Sequence, residues 1–504
     1  MHVWNKSFTS QMRTLRHIFR LSSLNLELMQ KQDLIRRSSE SARLFNIDLW
    51  SVLTRGSQFR VEAALLKLAH QEKYIAVSPS ANARDNQRPI CQLPLVMEPS
   101  SSFYSNPVIV LDFQSLYPSM MINYNLCFST LQGTLKKGCP KEGARGGQTE
   151  GCMGIFREFT EEQVMRNVMS NGKTDDRSIV APNGAMFAPP STRIGVFPRL
   201  QRDILACRQM LKRAMKKCAS SKAADQRVLY RVLDAQQYAI KMLSNVIYGY
   251  CAASFSGRMP CVDLADAIVS FGRATLEWAM DLVKRDFTEK NKWGPLRIVY
   301  GDTDSMFIEL IGRTREEAFT IGRDICAQIS ALSPPPVVLK FEKVYMGSVL
   351  VTKKRYAGNC FETENDLVGE FEAKGIEVAR RDQCGLVIKL QERALRILFS
   401  SRDLSLVKKF LETQWNRILN GGINLRDFVY SKEVRLDTYK KNSEPPHAMV
   451  ANRAREKDRN DVPPQQWRLP WVAITRPGGR GKDLPFRDLV MSPGEYLSHG
   501  DTVH

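Results

Sequence analysis

Residues 296–310 read Leu-Arg-Ile-Val-Tyr-Gly-Asp-Thr-Asp-Ser-Met-Phe-Ile-Glu-Leu, two apolar runs separated by the tight turn Gly301-Asp-Thr-Asp304. This pattern predicts a β-hairpin with two carboxylates at its tip. Asp302 and Asp304 repel each other there, and a divalent cation that prefers hard oxygen ligands, such as Mg²⁺, would remove that cost. A solvated acidic turn is the alternative, and this segment alone does not exclude it.

A further carboxylate, Asp112, ends the apolar, β-branched run that starts at Pro107, which predicts a buried strand. Taken alone, Asp112 is better explained as the cap of the following helix than as a catalytic residue. Together with Asp302 and Asp304 it favours a two-metal site. In such a site, ions about 4 Å apart hold the attacking and leaving oxygens of a phosphoryl transfer.

Two long basic helices joined by a short break are predicted between these acidic segments, from Pro198 to Lys217 and from about Asp225 to Tyr248. Side chains at three- and four-residue spacing share one face of each helix. Those suited to a triphosphate are Arg208, Lys212, Lys241, Asn245 and Tyr248. Each of them alone is explained as well by a solvated charge or a core aromatic.

Composition favours a polyanionic partner. The 504 residues carry 73 Lys and Arg against 53 Asp and Glu, a formal net charge of +20. Lys353-Lys354-Arg355-Tyr356, which we place on a strand, suits contact with a nucleic-acid backbone. Eleven cysteines without a C-x-x-C pair predict free thiols, and neither a zinc nor an iron–sulfur site. The sequence shows no apolar run of membrane-spanning length.

Elsewhere the patterns predict helices within residues 1–75, including 40–53 and 58–69, and again over 264–287 and 382–420. Strands are expected over 337–360, an irregular connection over 76–106 and a mobile insertion over 131–153. Thr314 and Glu317 predict a capping box, and the prolines at 334–336 a chain break. Residues from Ser443 onward carry no clear pattern.

Five segments, in order, resemble the motifs of family B DNA polymerases. They are Asp112–Ser119 (D-x-x-S-L-Y-P-S), Lys241–Gly249 (K-x-x-x-N-x-x-Y-G), Tyr300–Ser305 (Y-G-D-T-D-S), Lys353–Tyr356 (K-K-R-Y) and Lys374–Asp382, the start of a thumb. Shorter segments resemble the zeta branch of that family: Ser57–Val61, Phe103–Asn106, Phe255–Cys261 and Val246. Met120 and Met121 depart from the aliphatic residues usual in the family, a change that flexible methionine should tolerate.

The resemblance implies an α+β, multidomain right-hand polymerase: a palm with an antiparallel sheet, helical-hairpin fingers and a thumb. Residues 1–104 would form an N-terminal remnant leading into the palm. The palm would comprise 105–192, with an insertion, and 253–365, and the fingers would comprise 193–252. Residues 366–504 would form the thumb, for which a truncated chain and a divergent one are both open interpretations.

The resemblance also implies residue roles. Asp112 and Asp304 would hold two Mg²⁺ ions, with Asp302 as a weaker or indirect ligand. Arg208, Lys212 and Lys241 would bind the triphosphate, and Lys241 would also protonate the leaving pyrophosphate.

Further roles concern the nucleotide and the duplex. Backbone amides near Ser115 and Leu116 would bind phosphate oxygens, and Tyr117 would reject a 2′-hydroxyl by steric clash. Asn245 and Tyr248 would line the nascent base pair. Five residues would track the primer duplex: Lys353, Lys354, Arg355, Tyr356 and Lys374.

The implied function is template-directed extension of a DNA primer with deoxynucleoside triphosphates, past lesions, in DNA repair in the nucleus. Accessory polymerase subunits would bind through regions outside this sequence, and no membrane is involved. We expect no proofreading, because the residues before 41 carry no paired acids for an exonuclease. The alternatives are a replicative-type family B polymerase fragment and a non-catalytic DNA-binding scaffold; clustered acids within a basic protein argue against the scaffold.

Overall fold

The computed structural model of the chain describes residues 7–76, 78–85, 87–135, 158–160, 162, 178–219, 223–253, 257–286, 293–440, 443–459, 463, 467–474 and 485–498. Its α-helices are α1 Phe8–Lys31, α2 Leu34–Phe45, α3 Leu49–Thr54, α4 Ser57–Gln71, α5 Ala81–Asp85, α6 Leu116–Asn123, α7 Val196–Ala219, α8 Ala224–Ala252, α9 Val262–Asp286, α10 Arg315–Leu332, α11 Gly385–Ser401, α12 Leu404–Leu419, α13 Pro446–Lys457 and α14 Pro493–Ser498. Its strands are β1 Ser102–Phe113, β2 Leu131–Leu135, β3 Glu158–Phe159, β4 Ile179–Val180, β5 Ala185–Phe187, β6 Leu296–Asp302, β7 Ser305–Leu310, β8 Leu339–Thr352, β9 Arg355–Phe361, β10 Glu370–Lys374, β11 Tyr430–Glu433, β12 Arg468–Ala473 and β13 Val490–Met491.

The chain divides into two compact units, each built from several segments. Unit 1 comprises Met1–Leu95, Phe113–Ala279 and Gln328–Leu339. Unit 2 comprises Val96–Asp112, Met280–Ala327 and Lys340–His504. The boundary falls directly after Asp112, so the first motif contributes its carboxylate to unit 2 and its remaining residues to unit 1.

Unit 1 is mostly helical, and its longest feature is the predicted hairpin of α7 and α8. Ser244 Oγ donates to Gln201 Oε1 over 2.8 Å, and Gln201 Nε2 donates to the backbone carbonyl of Ser244 over 3.2 Å. Seven residues further along α7, Arg208 Nε donates over 3.4 Å to Gln237, which lies seven residues back along α8. Because residue numbers of the bonded pairs increase along α7 while they decrease along α8, the two helices are antiparallel. A small sheet in the order β3-β2-β5-β4 completes this unit.

Unit 2 is organised by a six-stranded sheet in the order β10-β9-β8-β1-β7-β6. The pairs β1–β7, β6–β7, β8–β9 and β9–β10 are antiparallel. A buried core that includes Val108, Val299, Phe307, Tyr345 and Cys360 forms from five of these strands. The protein is therefore α+β with an antiparallel sheet, as predicted.

Helix α10 packs on this sheet. The capping box predicted at its start is confirmed: Thr314 N–H donates to Glu317 Oε2 over 2.8 Å, and Glu317 N–H donates to Thr314 Oγ1 over 3.3 Å. Gly322 lies so close to Phe341 of β8 that a Cβ on it would stand 2.4 Å from the ring. This close approach fixes the distance between helix and sheet.

Several boundaries differ from the predictions. Strand β1 begins five residues before Pro107, at Ser102, because Tyr104 is buried in the core of the sheet. The expected irregular connection over 76–106 therefore ends at β1 and contains the short helix α5. The helix expected over 40–53 is instead α2 and α3, separated at Asn46, which adopts a left-handed φ of 55° that Asn tolerates.

Two further differences concern the insertion and the C-terminal part. The insertion expected over 131–153 begins with strand β2, and its remaining residues lie outside the described residues. Residues beyond Ser443, which carry no clear sequence pattern, include α13, β12, β13 and α14. None of the described helices is long and apolar enough to cross a membrane.

Candidate active site

Three neighbouring strands of unit 2, β1, β7 and β6, bring the predicted carboxylates together at the same end of the sheet. Asp112 on β1 pairs with Ser305 at the start of β7, and Ser305 also pairs with Asp302 at the end of β6. Asp304 directly precedes Ser305, and its N–H donates to the Asp302 carbonyl over 2.7 Å. Thr303 closes the turn with a left-handed φ of 62°. The hairpin prediction is thus confirmed, and it places the three carboxylates beside one another.

The three carboxylates line one cavity of about 560 Å³. The other polar residues of its wall are Thr303, Ser305, Glu342, Lys343, Lys354, Tyr356 and Lys374. Anionic and cationic side chains thus share a single space in unit 2. A cavity of this size is typical of small-molecule sites, and these charges suit phosphate groups and the cations that accompany them.

Asp112 is the most perturbed carboxylate of this cavity. Burial, together with the negative charges of Asp304 and Glu342, raises its pKa to about 7. Lys340 and Lys374 act in the opposite direction and do not cancel the effect. Asp112 is therefore a carboxyl group whose ionised form is costly unless a further cation approaches it.

Asp304 and Asp302 differ in their surroundings. Burial raises the pKa of Asp304, and the neighbouring Asp302 and Glu342 add to that effect. Asp302, in contrast, forms an ion pair with Lys354, whose Nζ lies 3.1 Å from Oδ1, and accepts a hydrogen bond from Thr303 Oγ1 at 3.0 Å. Asp112 and Asp304 are therefore the carboxylates that most need a cation.

The chemistry of these oxygen donors fits magnesium. Among the described residues, no three His, Cys, Asp or Glu side chains are arranged to hold an ion by themselves. Magnesium is usually held by one or two carboxylates that share it with substrate phosphates and water, so a protein-only cage is not required. Two carboxylates with raised pKa values, Asp112 and Asp304, supply such a partial site.

The basic motif lies at one end of the same sheet, and its position corrects the prediction that it lies on a strand. Lys353 and Lys354 occupy the turn between β8 and β9, where Lys354 has a left-handed φ of 60°. The N–H of Lys354 donates to Tyr300 Oη over 3.0 Å. Only Arg355 and Tyr356 belong to a strand.

The side chains of this motif differ in accessibility. Lys353 and Lys354 are exposed, although Lys353 forms an ion pair with Glu98. Arg355 forms an ion pair with Glu377. Tyr356 is half-buried against aromatic residues of the core and lines the cavity, so packing accounts for it as well as nucleic-acid contact does.

A polar network beside the cavity was missed by the sequence analysis. Glu372 accepts hydrogen bonds from Lys343 Nζ at 2.7 Å and from Tyr345 Oη at 2.6 Å, and it lies 3.3 Å from Lys374 Nζ. Glu342 lines the cavity and was missed as well. The alternation of Lys343 with Tyr345 along β8 and of Glu372 with Lys374 along β10 is the signal that identifies this network, once the strands are known to adjoin the acidic hairpin.

Unit 1 holds the remaining candidate residues. On the hairpin, Lys212, Lys241 and Asn245 are exposed, and Arg208 is half-buried. Burial lowers the pKa of Arg208, but an arginine remains charged at neutral pH. The hairpin therefore presents positive charge on exposed positions of both helices.

Tyr117 lies on α6 and contacts Tyr248 of α8, with their ring centroids 5.0 Å apart. Ser115, the residue before α6, adopts a left-handed φ of 50°. The first amides of a helix have no intrahelical acceptor, which makes the Ser115–Leu116 step a suitable place for an anionic oxygen. The structure thus brings Tyr117 and Tyr248 together, as their assignment to one nucleotide requires.

Comparison with known proteins agrees with these motifs. The family model of DNA polymerase family B matches residues 47–503. The DNA polymerase zeta catalytic subunit of Arabidopsis thaliana is 45% identical over 483 residues, which is 95% of this chain and 24% of that protein. The human DNA polymerase zeta catalytic subunit is 43% identical over 478 residues, 94% of this chain and 14% of that protein.

A DNA polymerase delta catalytic subunit, from Bos taurus, is 30% identical over 457 residues, 90% of this chain and 38% of that protein. The higher identity to the zeta catalytic subunits confirms the resemblance to that branch. The chain spans about a quarter of the length of the Arabidopsis relative and less of the human one. Since the family model matches most of its residues, the chain belongs to DNA polymerase family B.

Proposed function

We propose that this chain carries out template-directed DNA synthesis, in which a primer 3′-hydroxyl attacks the α-phosphate of a deoxynucleoside triphosphate and pyrophosphate leaves. The observation that carries the proposal is the register of β1, β7 and β6, which sets Asp112, Asp302 and Asp304 side by side at one sheet edge. Carboxylates with raised pKa values in a polar cavity are typical of catalytic sites.

Asp112 and Asp304 are the proposed magnesium ligands, and Asp302 is a weaker or indirect one because Lys354 already neutralises it. When bound, a pair of magnesium ions would activate the primer hydroxyl and stabilise charge on the leaving pyrophosphate. The two carboxylates fix where the primer terminus and the α-phosphate meet. Their raised pKa values favour a bound cation over two bare negative charges.

The triphosphate is assigned to Arg208, Lys212 and Lys241, and proton donation to pyrophosphate is assigned to Lys241. Phosphoryl transfer depends on positioning and charge neutralisation more than on covalent help from the protein, and basic side chains on a helical hairpin supply both. Asn245, with Tyr248, is assigned to the nascent base pair. Ser115 and Leu116 are assigned to phosphate oxygens through their amides.

Tyr117 is assigned to sugar discrimination, since an aromatic ring beneath the sugar leaves no room for a 2′-hydroxyl. Contact with primer–template DNA is assigned to the motif after β8 and to the end of β10: Lys353, Lys354, Arg355, Tyr356 and Lys374. Exposed lysines on a turn suit phosphate contacts, which position the duplex without reading its sequence.

The fold assignment in this proposal is the right hand: α7 and α8 as fingers, the six-stranded sheet as palm and α11 and α12 within a thumb. Similarity to the zeta catalytic subunits supports synthesis past lesions in DNA repair, in the nucleus and without proofreading. Accessory polymerase subunits would bind through parts of the longer relatives that this chain does not align with.

A primer-extension assay tests the proposal. The purified chain should extend a primed template with dNTPs and Mg²⁺, and Asp304→Asn should reduce the rate at least ~10³-fold, as loss of one charged element at a phosphoryl-transfer site does. Equal binding of primed DNA by both proteins is the control for folding. Extension unchanged by the substitution would refute the metal assignment, and DNA binding without any extension would favour a scaffold.

A further inference from the structure

The contact between α6 and α9 in unit 1 contains a glycine at a critical position. Gly272 is buried on α9, and a Cβ placed on it would stand 3.0 Å from Cε1 and 3.3 Å from Cδ1 of Tyr117. It would also stand 3.5 Å from Leu116 Cδ2. The ring edge of Tyr117 thus rests on helix backbone, at a distance that a methyl group would not permit without movement.

The two helices are held together around this point, so they cannot separate easily. Tyr124, directly after α6, stacks on Phe271 of α9, with ring centroids 3.8 Å apart and planes 9° from parallel. Thr275 Oγ1 lies 3.3 Å from Met120 Sδ, and it donates to the carbonyl of Phe271 over 2.8 Å. Contacts at residues 271 and 275 bracket Gly272, and therefore the ring of Tyr117 is what must yield to a larger residue.

The ring also has a second neighbour that limits its movement. Tyr248 of α8 lies 5.0 Å from Tyr117, centroid to centroid, with the rings tilted by 48°. The Tyr117 ring is half-buried, and its buried side faces α9. The ring can therefore shift only toward its exposed side.

We propose that Gly272 is a positioning residue for sugar discrimination: its missing side chain sets how far the Tyr117 ring extends toward the sugar of the incoming nucleotide. This inference rests on the proposed role of Tyr117. A methyl group at position 272 pushes the ring outward by a few tenths of an ångström and narrows the space for the sugar. The 2′-hydroxyl of a ribonucleotide is affected more than the 2′-hydrogen of a deoxynucleotide.

The test is single-nucleotide insertion by the full chain, with separate kcat and KM values for dCTP and CTP opposite a template guanine. A misplacement of 1 Å costs about 100-fold in rate, so a few tenths of an ångström predicts an effect of about three- to tenfold. Gly272→Ala should lower kcat/KM for dCTP by that factor, with part of the change in KM because the ring crowds the sugar, and should increase the dCTP preference by at least about threefold. Ala274→Ser, an exposed change on the same helix, is the matched control and should behave as wild type.

Two further variants separate this inference from the proposed function. Tyr117→Ala should weaken discrimination; if it does not, Tyr117 is not the sugar-sensing residue and the proposed role fails. In the Tyr117→Ala background, Gly272→Ala should have no further effect on the dCTP preference, because the ring it displaces is gone. If Tyr117→Ala weakens discrimination but Gly272→Ala leaves both KM and preference at wild-type values, the positioning role of Gly272 is wrong.

Discussion

Replacing Asp112 by Asn should stabilise the metal-free protein. The carboxyl group has a pKa of about 7 in the folded protein, against a usual value of 3.8, because burial and the charges of Asp304 and Glu342 disfavour its ionised form. At neutral pH the carboxylate is ionised in the unfolded chain, so folding must either bury that charge or bind a proton, and both cost free energy. An uncharged amide of the same shape avoids that cost.

The magnitude follows from the difference between the two pKa values. The difference between the folded and the usual pKa corresponds to about 4 kcal/mol of folding free energy if the whole of it is converted. Asp112 is only half-buried, however, so screening by solvent reduces this to about 1–2 kcal/mol. For a unit of this size, 1 kcal/mol moves the melting temperature by about 2–4 °C. Asp112→Asn should therefore raise the melting temperature by about 2–8 °C at pH 7.5.

The dependence on pH has a defined sign. Because the folded pKa is raised, the folded state binds the proton more tightly than the unfolded state between about pH 4 and pH 7. In wild type, the loss of stability caused by the Asp112 carboxylate is absent below the unfolded pKa. It grows as the pH rises and is complete above the folded pKa. The stabilisation by Asp112→Asn should fall to less than half at pH 5.

The assay is differential scanning fluorimetry in EDTA at both pH values, followed by a magnesium titration. Magnesium should raise the melting temperature of wild type more than that of Asp112→Asn, because it relieves the same repulsion. Asp382→Asn is the matched control with the opposite sign, since Arg380 lowers the pKa of Asp382 to about 2. A melting temperature for Asp112→Asn at or below that of wild type in EDTA at pH 7.5 would refute the reasoning.

Three other outcomes are expected. Lys241→Ala should slow extension at saturating dNTP by about 10²- to 10⁴-fold, the usual contribution of a general acid, whereas a purely structural lysine would leave kcat unchanged; rapid-quench kinetics decide. Glu372→Leu should destabilise unit 2 by about 3 kcal/mol in urea unfolding, because it leaves Lys343 buried without its partner, and a stable variant would contradict that role. Lys354→Ala should reduce the slope of log affinity for primed DNA against log salt by about 1, and an unchanged slope would remove Lys354 from the phosphate contacts.

Sequence patterns predicted those parts of the fold in which local chemistry decides the conformation. The hairpin at 296–310 was predictable because two apolar runs flank a tight turn of glycine and short polar residues. The capping box at Thr314 and the basic helical hairpin were predictable for similar reasons. The carboxylates could be grouped from sequence only through the combination of motifs, because their proximity depends on β1 pairing with β7 across almost two hundred residues.

Features that depend on tertiary contacts were not predictable in the same way. The start of β1 at Ser102 depends on where Tyr104 finds a core, and polarity alone marks that segment as a connection. Glu342 and Glu372 have no motif of their own; they matter because strands β8 and β10 carry them beside the acidic hairpin. The placement of Lys354 on a turn, rather than on a strand, depends on a left-handed backbone that lysine seldom adopts.

The left-handed turn at Lys354 connects two chain segments that lie 54 residues apart in sequence. Its amide is bound to the hydroxyl of Tyr300, and its ammonium group neutralises Asp302. A phosphate that attracts this ammonium would withdraw the positive charge from Asp302 and leave that carboxylate open to a cation. DNA engagement and ion uptake would then be thermodynamically linked, each strengthening the other through a single lysine.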